Sequence, residues 1–212
     1  MTDPLDAIER EHLCALMKEV GPEAPTLLEP WTTLDLAAHL VIREHDYRAA
    51  PGLVVPGAWG RFAERRRNAL TRREYATLLT TIRSGPPRGF FRIGWVRRFP
   101  NLNEFFVHHE DVRRANGLDP RTNVAALDEA LWRNVGLVPW FLARRLGGVG
   151  LELEWVGTTQ LLRARRGKPT ARLTGMPGEL LLYLFGRQGA AEVELSGARA
   201  AVEAVERARF GM

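Results

Sequence analysis

Apolar residues recur at helical spacing through the first 117 residues, and short stretches rich in glycine and proline separate the repeating segments. Thr32 with Asp35, and Thr71 with Glu74, have the spacing of capping boxes, which mark helix starts. The aromatic and basic stretch from Gly89 to Phe99 is predicted to be a loop. Four main helices and a further short one, with short connections, favour a helical bundle. The main helices run from Pro4 to Val20, Thr32 to Tyr47, Thr71 to Ile82 and Pro100 to Ala115, and the short one from Pro56 to Leu70.

The pattern changes after Asp119-Pro120, which marks a linker. Val124 to Leu146 is predicted to be an apolar helix that breaks near Pro139. Later segments alternate apolar and polar residues, which is typical of half-buried strands. The chain is therefore predicted to be an α+β protein, with a helical bundle over residues 1–120 and a small α+β domain over residues 121–212. The predicted strands are Leu151 to Val156, Gln160 to Arg165, Thr170 to Thr174 and Glu192 to Leu195, with helices at Glu179 to Phe185 and from Ser196 to Arg209.

Composition excludes several classes of protein. Hydrophobic residues make up 45% and charged residues 26% of the chain, which is enough apolar content to bury a core and argues against disorder throughout. The longest clean apolar stretch, Leu180 to Phe185, is far shorter than the roughly 18–20 residues of a membrane span, so no membrane association is expected. The acidic N-terminus lacks a secretory signal, and the single cysteine, Cys14, cannot form an internal disulfide. A cytoplasmic protein is therefore expected.

Histidines and carboxylates cluster in two helix-period segments. Glu104 and His108 are four residues apart, so they share one helix face, and Asp111 lies three residues further along that face. A carboxylate and an imidazole one turn apart can bind one metal ion together, but a third ligand must come from elsewhere. His39, in a small-residue stretch of an apolar stripe, is the best candidate. The pattern predicts a metal site of His39, Glu104 and His108, with Asp111 orienting a histidine behind it.

Spacing alone leaves simpler interpretations open. His39 can be a hydrogen-bonded core histidine, and Glu104 with His108 an ordinary intrahelical pair worth about 0.2–0.5 kcal/mol. Asp111 can be an exposed helix charge. Other polar residues of these segments are expected to play no part in a site, because they are rotated away from the shared face or are solvated. They are His45, His109, Glu44 and Glu110.

These segments resemble the DinB-like metal-binding domain of mycothiol-dependent maleylpyruvate isomerases. The matching runs are WTTLDLAAHL, which begins at Trp31, and EFFVHHEDV, which begins at Glu104. Further along, TGMPGELLLYLFGR, which ends at Arg187, is similar to the C-terminal segment of the same proteins, which has an SCP2-like α+β form. The resemblance covers nearly the whole chain. It implies a DinB-like four-helix bundle followed by a small SCP2-like domain.

The resemblance also implies a site. In that family one histidine of the second helix and a Glu-x-x-x-His pair of the fourth hold a divalent metal, usually zinc, and the matching residues are His39, Glu104 and His108. The family's C-terminal domain supplies an arginine to the active site, and Arg187 is the matching position. Arg187 can instead be a helix-terminal arginine that stabilises the helix dipole. The expected catalytic residues beside the metal ligands are therefore Arg187 and Asp111.

The function implied is that of a divalent-metal-binding, thiol-dependent isomerase or transferase that acts on a small anionic substrate. The family uses its metal to activate mycothiol, whose thiolate adds to an activated double bond. Rotation and elimination then complete a cis–trans isomerisation. Two alternatives remain open, a metal-dependent hydrolase that activates water and a metal-stabilised binding or regulatory module without turnover.

A strongly basic segment extends from Arg61 to Arg98, with eleven arginines and only two acidic residues, Glu64 and Glu74. It also carries aromatic side chains. The segment can be a solvated face, a cleft for an anionic substrate, or a track for a nucleic-acid backbone. No nucleic-acid motif accompanies the charge, so a nucleic-acid partner is not expected.

Overall fold

A computed structural model describes residues 4–53, 55, 57–87, 89–122, 124–137 and 146–211 of the protein. The chain divides into two compact units, Met1–Pro120 and Arg121–Met212, here called unit 1 and unit 2. Among these described residues, no helix has the length and apolar character needed to cross a membrane.

Unit 1 is helical. α1 packs along α6, α4 packs against both α1 and α2, and α3 packs against α2. A π-helical turn, Arg97–Asn101, leads directly into α6. Short 3-10 turns occur at Ala50–Leu53 and Phe90–Arg92. The helices are α1 (Leu5–Val20), α2 (Thr33–His45), α3 (Ala58–Leu70), α4 (Tyr75–Arg83), the short α5 (Gly94–Val96) and α6 (Leu102–Ala115).

The core of unit 1 is formed by the apolar stripes of these helices. Leu13 and Met17 of α1, Leu36 and Ile42 of α2, and Leu78 of α4 are at most 1% exposed. Each such side chain contributes about 1.5–3 kcal/mol by leaving water, which is what holds the helices together. At the start of α2 the capping box is present, with the Thr32 amide donating to the Asp35 carboxylate at 3.1 Å.

Two predictions for unit 1 are wrong. Thr71 does not cap α4 but ends α3, and its hydroxyl donates to the Asn68 carbonyl at 3.1 Å. The stretch from Gly89 to Phe99 is not a simple loop, because it contains a 3-10 turn, α5 and the start of the π-helical turn. A tertiary contact orders this stretch, since the side-chain amide of Asn101 donates to the Phe91 carbonyl at 3.2 Å. The residue pattern of the stretch itself could not predict this hydrogen bond.

Unit 2 combines helices with a mixed four-stranded sheet in the order β2-β1-β3-β4. β1 is antiparallel to β2 and parallel to β3, and β4 is antiparallel to β3. Leu153, on the central strand, is opposite Leu162 and Leu173. The elements are α7 (Ala125–Val135), β1 (Gly150–Trp155), β2 (Leu161–Arg165), β3 (Thr170–Gly175), α8 (Pro177–Leu184), β4 (Val193–Gly197) and α9 (Arg199–Arg207).

The prediction of an α+β chain, helical first and mixed later, is confirmed. All four predicted strands are present within a residue or two of their predicted ends. The helix predicted from Val124 to Leu146 begins as expected with α7. Its predicted break at Pro139 lies outside the described residues.

Candidate metal centre

The structure brings His39 of α2 together with Glu104 and His108 of α6. His39 Nε2 lies 3.2 Å from Glu104 Oε1, and His108 Nε2 lies 3.1 Å from the same oxygen. The two imidazole rings meet edge to face, with centroids 5.3 Å apart. Two nitrogen donors from different helices therefore converge on one carboxylate oxygen.

The donor set fits a divalent metal ion. One ligand atom from each of the three side chains lies within 4.8 Å of the other two. Two imidazole nitrogens and one carboxylate oxygen form a set that suits zinc and several other transition metals. Three protein ligands also leave a coordination position for water or substrate. The cluster is therefore a candidate metal centre, and it brings together the three residues that were expected as ligands: Glu104 and His108 from their spacing, and His39 from its place in an apolar stripe.

Asp111 lies directly behind His108. Its Oδ2 is 2.9 Å from His108 Nδ1, and the residue is fully buried. The interpretation of Asp111 as an exposed charge is therefore wrong. In the neutral imidazole, a carboxylate at Nδ1 holds the single proton on that nitrogen and leaves the Nε2 lone pair for a metal ion. His108 therefore contacts both Glu104 and Asp111, the two carboxylates that residue spacing placed on its helix face.

Arg43, which the sequence analysis missed, adds a cation to the cluster. Its Nε lies 3.5 Å from Glu104 Oε1, and its Nη1 donates to Asn101 Oδ1 at 2.9 Å. The guanidinium also lies over the Phe91 ring, 4.7 Å from its centroid. Arg43 follows His39 by four residues on α2, so helical spacing placed it on the same face. That spacing was the available signal.

The protonation states follow from these contacts. Burial lowers the pKa of His39, which favours its neutral form. Burial opposes ionisation of Glu104, but Arg43 and the hydrogen bonds from His108 and His39 hold the pKa of Glu104 well below its usual range. Burial also disfavours the charged form of His108, yet hydrogen bonds to the Asp111 and Glu104 carboxylates raise the pKa of His108 overall. An ionised carboxylate and a neutral imidazole are the forms that bind metal, so a metal ion at this position would displace the Nε2 proton of His108.

Trp31 forms one side of the cluster. The centroid of its ring is 5.4 Å from that of the His39 ring. The Arg67 guanidinium lies over the Trp31 ring, with its Cζ 4.9 Å from the ring centroid. Arg67 is held by an ion pair with Asp35, whose carboxylate accepts from the Thr32 amide in the capping box of α2. The start of α2 therefore fixes both the direction of the helix and the aromatic group beside His39.

The other histidines lie outside the cluster. His109 Nδ1 is 3.2 Å from the Glu9 carboxylate, and His45 lines a separate cavity. The expectation that Glu44 and Glu110 are solvated is wrong, because they are 7% and 1% exposed. Glu44 forms a buried ion pair with Arg10, and Glu110 lies 2.8 Å from the Arg114 guanidinium.

Arg187 lies in unit 2, just after α8. Its Nη1 donates to the Phe185 carbonyl at 2.6 Å, and its backbone amide donates to the Leu182 carbonyl at 2.9 Å. These contacts fix the residue at the end of α8. Its expected catalytic role stays a prediction.

The basic segment from Arg61 to Arg98 is divided between two roles. Some of its arginines form ion pairs that join helices, such as Arg67 with Asp35 and Arg97 with Asp6. Others, such as Arg61 and Arg65, are exposed on α3. Its aromatic side chains are not all turned inward, since Phe90 is 58% and Trp95 is 56% exposed.

Comparison with solved structures finds two that share the fold of this chain over most of its length. The crystal structure of the mycothiol-dependent maleylpyruvate isomerase is similar over 91% of this chain and 90% of that chain, with a TM-score of 0.54 and 17% sequence identity. A histidine-to-alanine mutant of that isomerase gives the same coverage, with a TM-score of 0.56 and 15% identity. No family model matches the sequence, and no curated protein matches it. At this identity the likeness establishes the fold.

Proposed function

We propose that unit 1 binds a divalent metal, zinc in the first instance, through His39, Glu104 and His108. We further propose that the protein is a thiol-dependent isomerase or transferase acting on a small anionic substrate. The observation that carries the proposal is the convergence of both Nε2 atoms on Glu104 Oε1, at 3.2 and 3.1 Å. The isomerase fold of the similar crystal structures supports the choice of reaction.

The residues around the cluster have separate roles in this proposal. Asp111 keeps the proton of His108 on Nδ1, so that Nε2 is a donor atom. Arg43 balances the charge of Glu104 and keeps that carboxylate ionised. Trp31 packs against the His39 ring and limits the orientations of that imidazole. When bound, a divalent metal at this position lowers the pKa of a coordinated thiol and supplies thiolate at neutral pH.

The proposed reaction is balanced without an oxidant or reductant. The thiolate of mycothiol forms a carbon–sulfur bond to one carbon of an electron-poor double bond, and the electron pair moves to the substrate's carbonyl group. The former double bond is now single and rotates. The carbon–sulfur bond then breaks, which restores the double bond in the trans form and regenerates the thiolate.

The proposal is tested by following cis–trans isomerisation of short unsaturated dicarboxylates by ultraviolet absorbance, with and without mycothiol. Metal-loaded wild-type protein is expected to turn over substrate only when the thiol is present. His108→Ala is expected to abolish turnover, and His12→Ala, which alters an exposed histidine of α1, is expected to leave it unchanged. Turnover of hydrolysable esters without thiol would instead support the metal-dependent hydrolase.

A further inference from the structure

Unit 1 contains a polar cavity that is not part of the proposed metal centre. It has a volume of about 270 Å³ and lies between α1, the end of α4 and the segment that leads into α6. Four arginines line it, Arg10, Arg83, Arg92 and Arg97. Three of them belong to the basic segment that the proposed function leaves unexplained.

Arg10, Arg83 and Arg97 are held in place by carboxylates, whereas Arg92 donates from Nη1 to the Pro87 carbonyl at 3.5 Å. Arg83 uses its Nε for Glu11, at 3.1 and 3.2 Å, and within the described part of the chain its Nη groups make no hydrogen bond. Arg97 uses Nε and Nη2 for Asp6, at 3.0 and 2.9 Å. Such anchoring fixes the planar guanidinium groups before any ligand arrives, and a guanidinium offers five donors in a rigid fork. Their remaining N–H groups are suited to a carboxylate or a phosphate.

The charge of the cavity favours an anion. Asp6 and Glu11 are the carboxylates of its lining, so the four arginines outnumber them. Glu44, behind the lining, neutralises Arg10 through a buried ion pair. An excess of one positive charge remains even when Glu44 is included. Asp6 and Ala7 belong to the first turn of α1, where the helix dipole adds further positive potential.

A larger cavity adjoins this one. It has a volume of about 650 Å³ and shares Ser84 and Gly85 with the arginine-lined cavity. Its lining is uncharged and rich in hydroxyl groups, apart from His45, whose Nε2 is buried and has no hydrogen-bond partner in the described part of the chain. The pair of cavities therefore offers a charged end and an uncharged, largely apolar end.

We propose that these adjoining cavities form a binding site for a small organic anion, separate from the metal centre. The carboxylate or phosphate group of the ligand contacts Arg83, Arg92 and Arg97, and its uncharged part lies along the hydroxyl-lined cavity. The site also touches the surroundings of the metal centre, because Phe91 lines the arginine-lined cavity and packs against Arg43.

Isothermal titration calorimetry of the full-length protein with inorganic phosphate, and in parallel with malonate, tests this proposal. Two or three charge-assisted hydrogen bonds correspond to a Kd on the order of 1 mM. Arg83→Gln and Arg92→Gln are each expected to weaken binding roughly tenfold. Glu11→Gln is expected to strengthen it, because it removes the carboxylate that competes for Arg83. The probe that binds more tightly identifies the class of anion.

Arg65→Gln is the matched control, since it removes the same charge from an exposed position on α3. An equal loss of affinity in Arg65→Gln and Arg83→Gln would mean diffuse surface attraction and would overturn the proposal. Binding that persists in Arg83→Gln and Arg92→Gln but disappears in His108→Ala would belong to the metal centre and would also overturn it. Thermal melting of each variant establishes that it is folded.

Discussion

Replacing Asp111 with asparagine removes the carboxylate that faces His108 while keeping the size of the side chain. The Asp111 oxygen is 2.9 Å from His108 Nδ1, and the residue is fully buried, so solvent does not weaken the contact. A hydrogen bond of this charged type contributes about 1.5–3 kcal/mol. The expected loss of zinc affinity in Asp111→Asn is therefore roughly 10- to 100-fold, the range seen when such supporting groups are removed.

The measurement is zinc affinity by competition with a chromophoric chelator at pH 7.5. Glu110→Gln serves as the control, because it also removes a buried negative charge from α6 but that carboxylate pairs with Arg114 and lies outside the cluster. Its zinc affinity is expected to stay within about threefold of wild type, which corresponds to less than about 0.7 kcal/mol. A zinc Kd for Asp111→Asn equal to that of Glu110→Gln would refute the role given to Asp111.

Three further predictions follow from buried groups. The two carboxylate partners of His108 raise its pKa. Because protons compete with zinc for the imidazole, the zinc Kd should increase roughly tenfold for each pH unit below that pKa. A pH-independent zinc Kd would contradict this prediction. Glu44→Ala leaves Arg10 buried without its partner and should lower the free energy of unfolding in urea by about 3–5 kcal/mol. Its control is Glu11→Ala, which breaks an exposed ion pair and should cost less than about 1 kcal/mol. Burial raises the pKa of the Cys14 thiol to about 12, so iodoacetamide at pH 8 should label it only after unfolding, and rapid labelling of native protein would argue against that burial.

Residues whose geometry is fixed by a single helix could be predicted from the sequence. Glu104, His108 and Asp111 lie on one face of α6 because their separations of four and three residues match the helical period. His39 was selected because a histidine among small residues of an apolar stripe must face a protein interior. Each of these predictions depends on the geometry of one helix only. The fold then brings α2 and α6 together.

Residues whose environment is decided by a second element could not be predicted from the sequence. Glu110 of α6 and Glu44 of α2 lie next to the apolar stripes of their helices. Their ion-pair partners, Arg114 and Arg10, could not be assigned from those stripes alone. Nearly every residue of α6 from Leu102 to Val112 is buried, so this helix has no solvated face on which charges can lie. Arg43 was missed for a similar reason, since its closeness to Glu104 depends on how α2 and α6 meet.

The most direct test of the metal centre is the metal content of protein purified without a histidine tag, measured by inductively coupled plasma mass spectrometry. Wild type is expected to carry about one zinc per chain, and both His39→Ala and His108→Ala are expected to lose it. His12→Ala should retain the metal, because that histidine is exposed on α1. Retention of the metal in His39→Ala and His108→Ala, or its absence from reconstituted wild type, would contradict the assignment of His39, Glu104 and His108 as ligands.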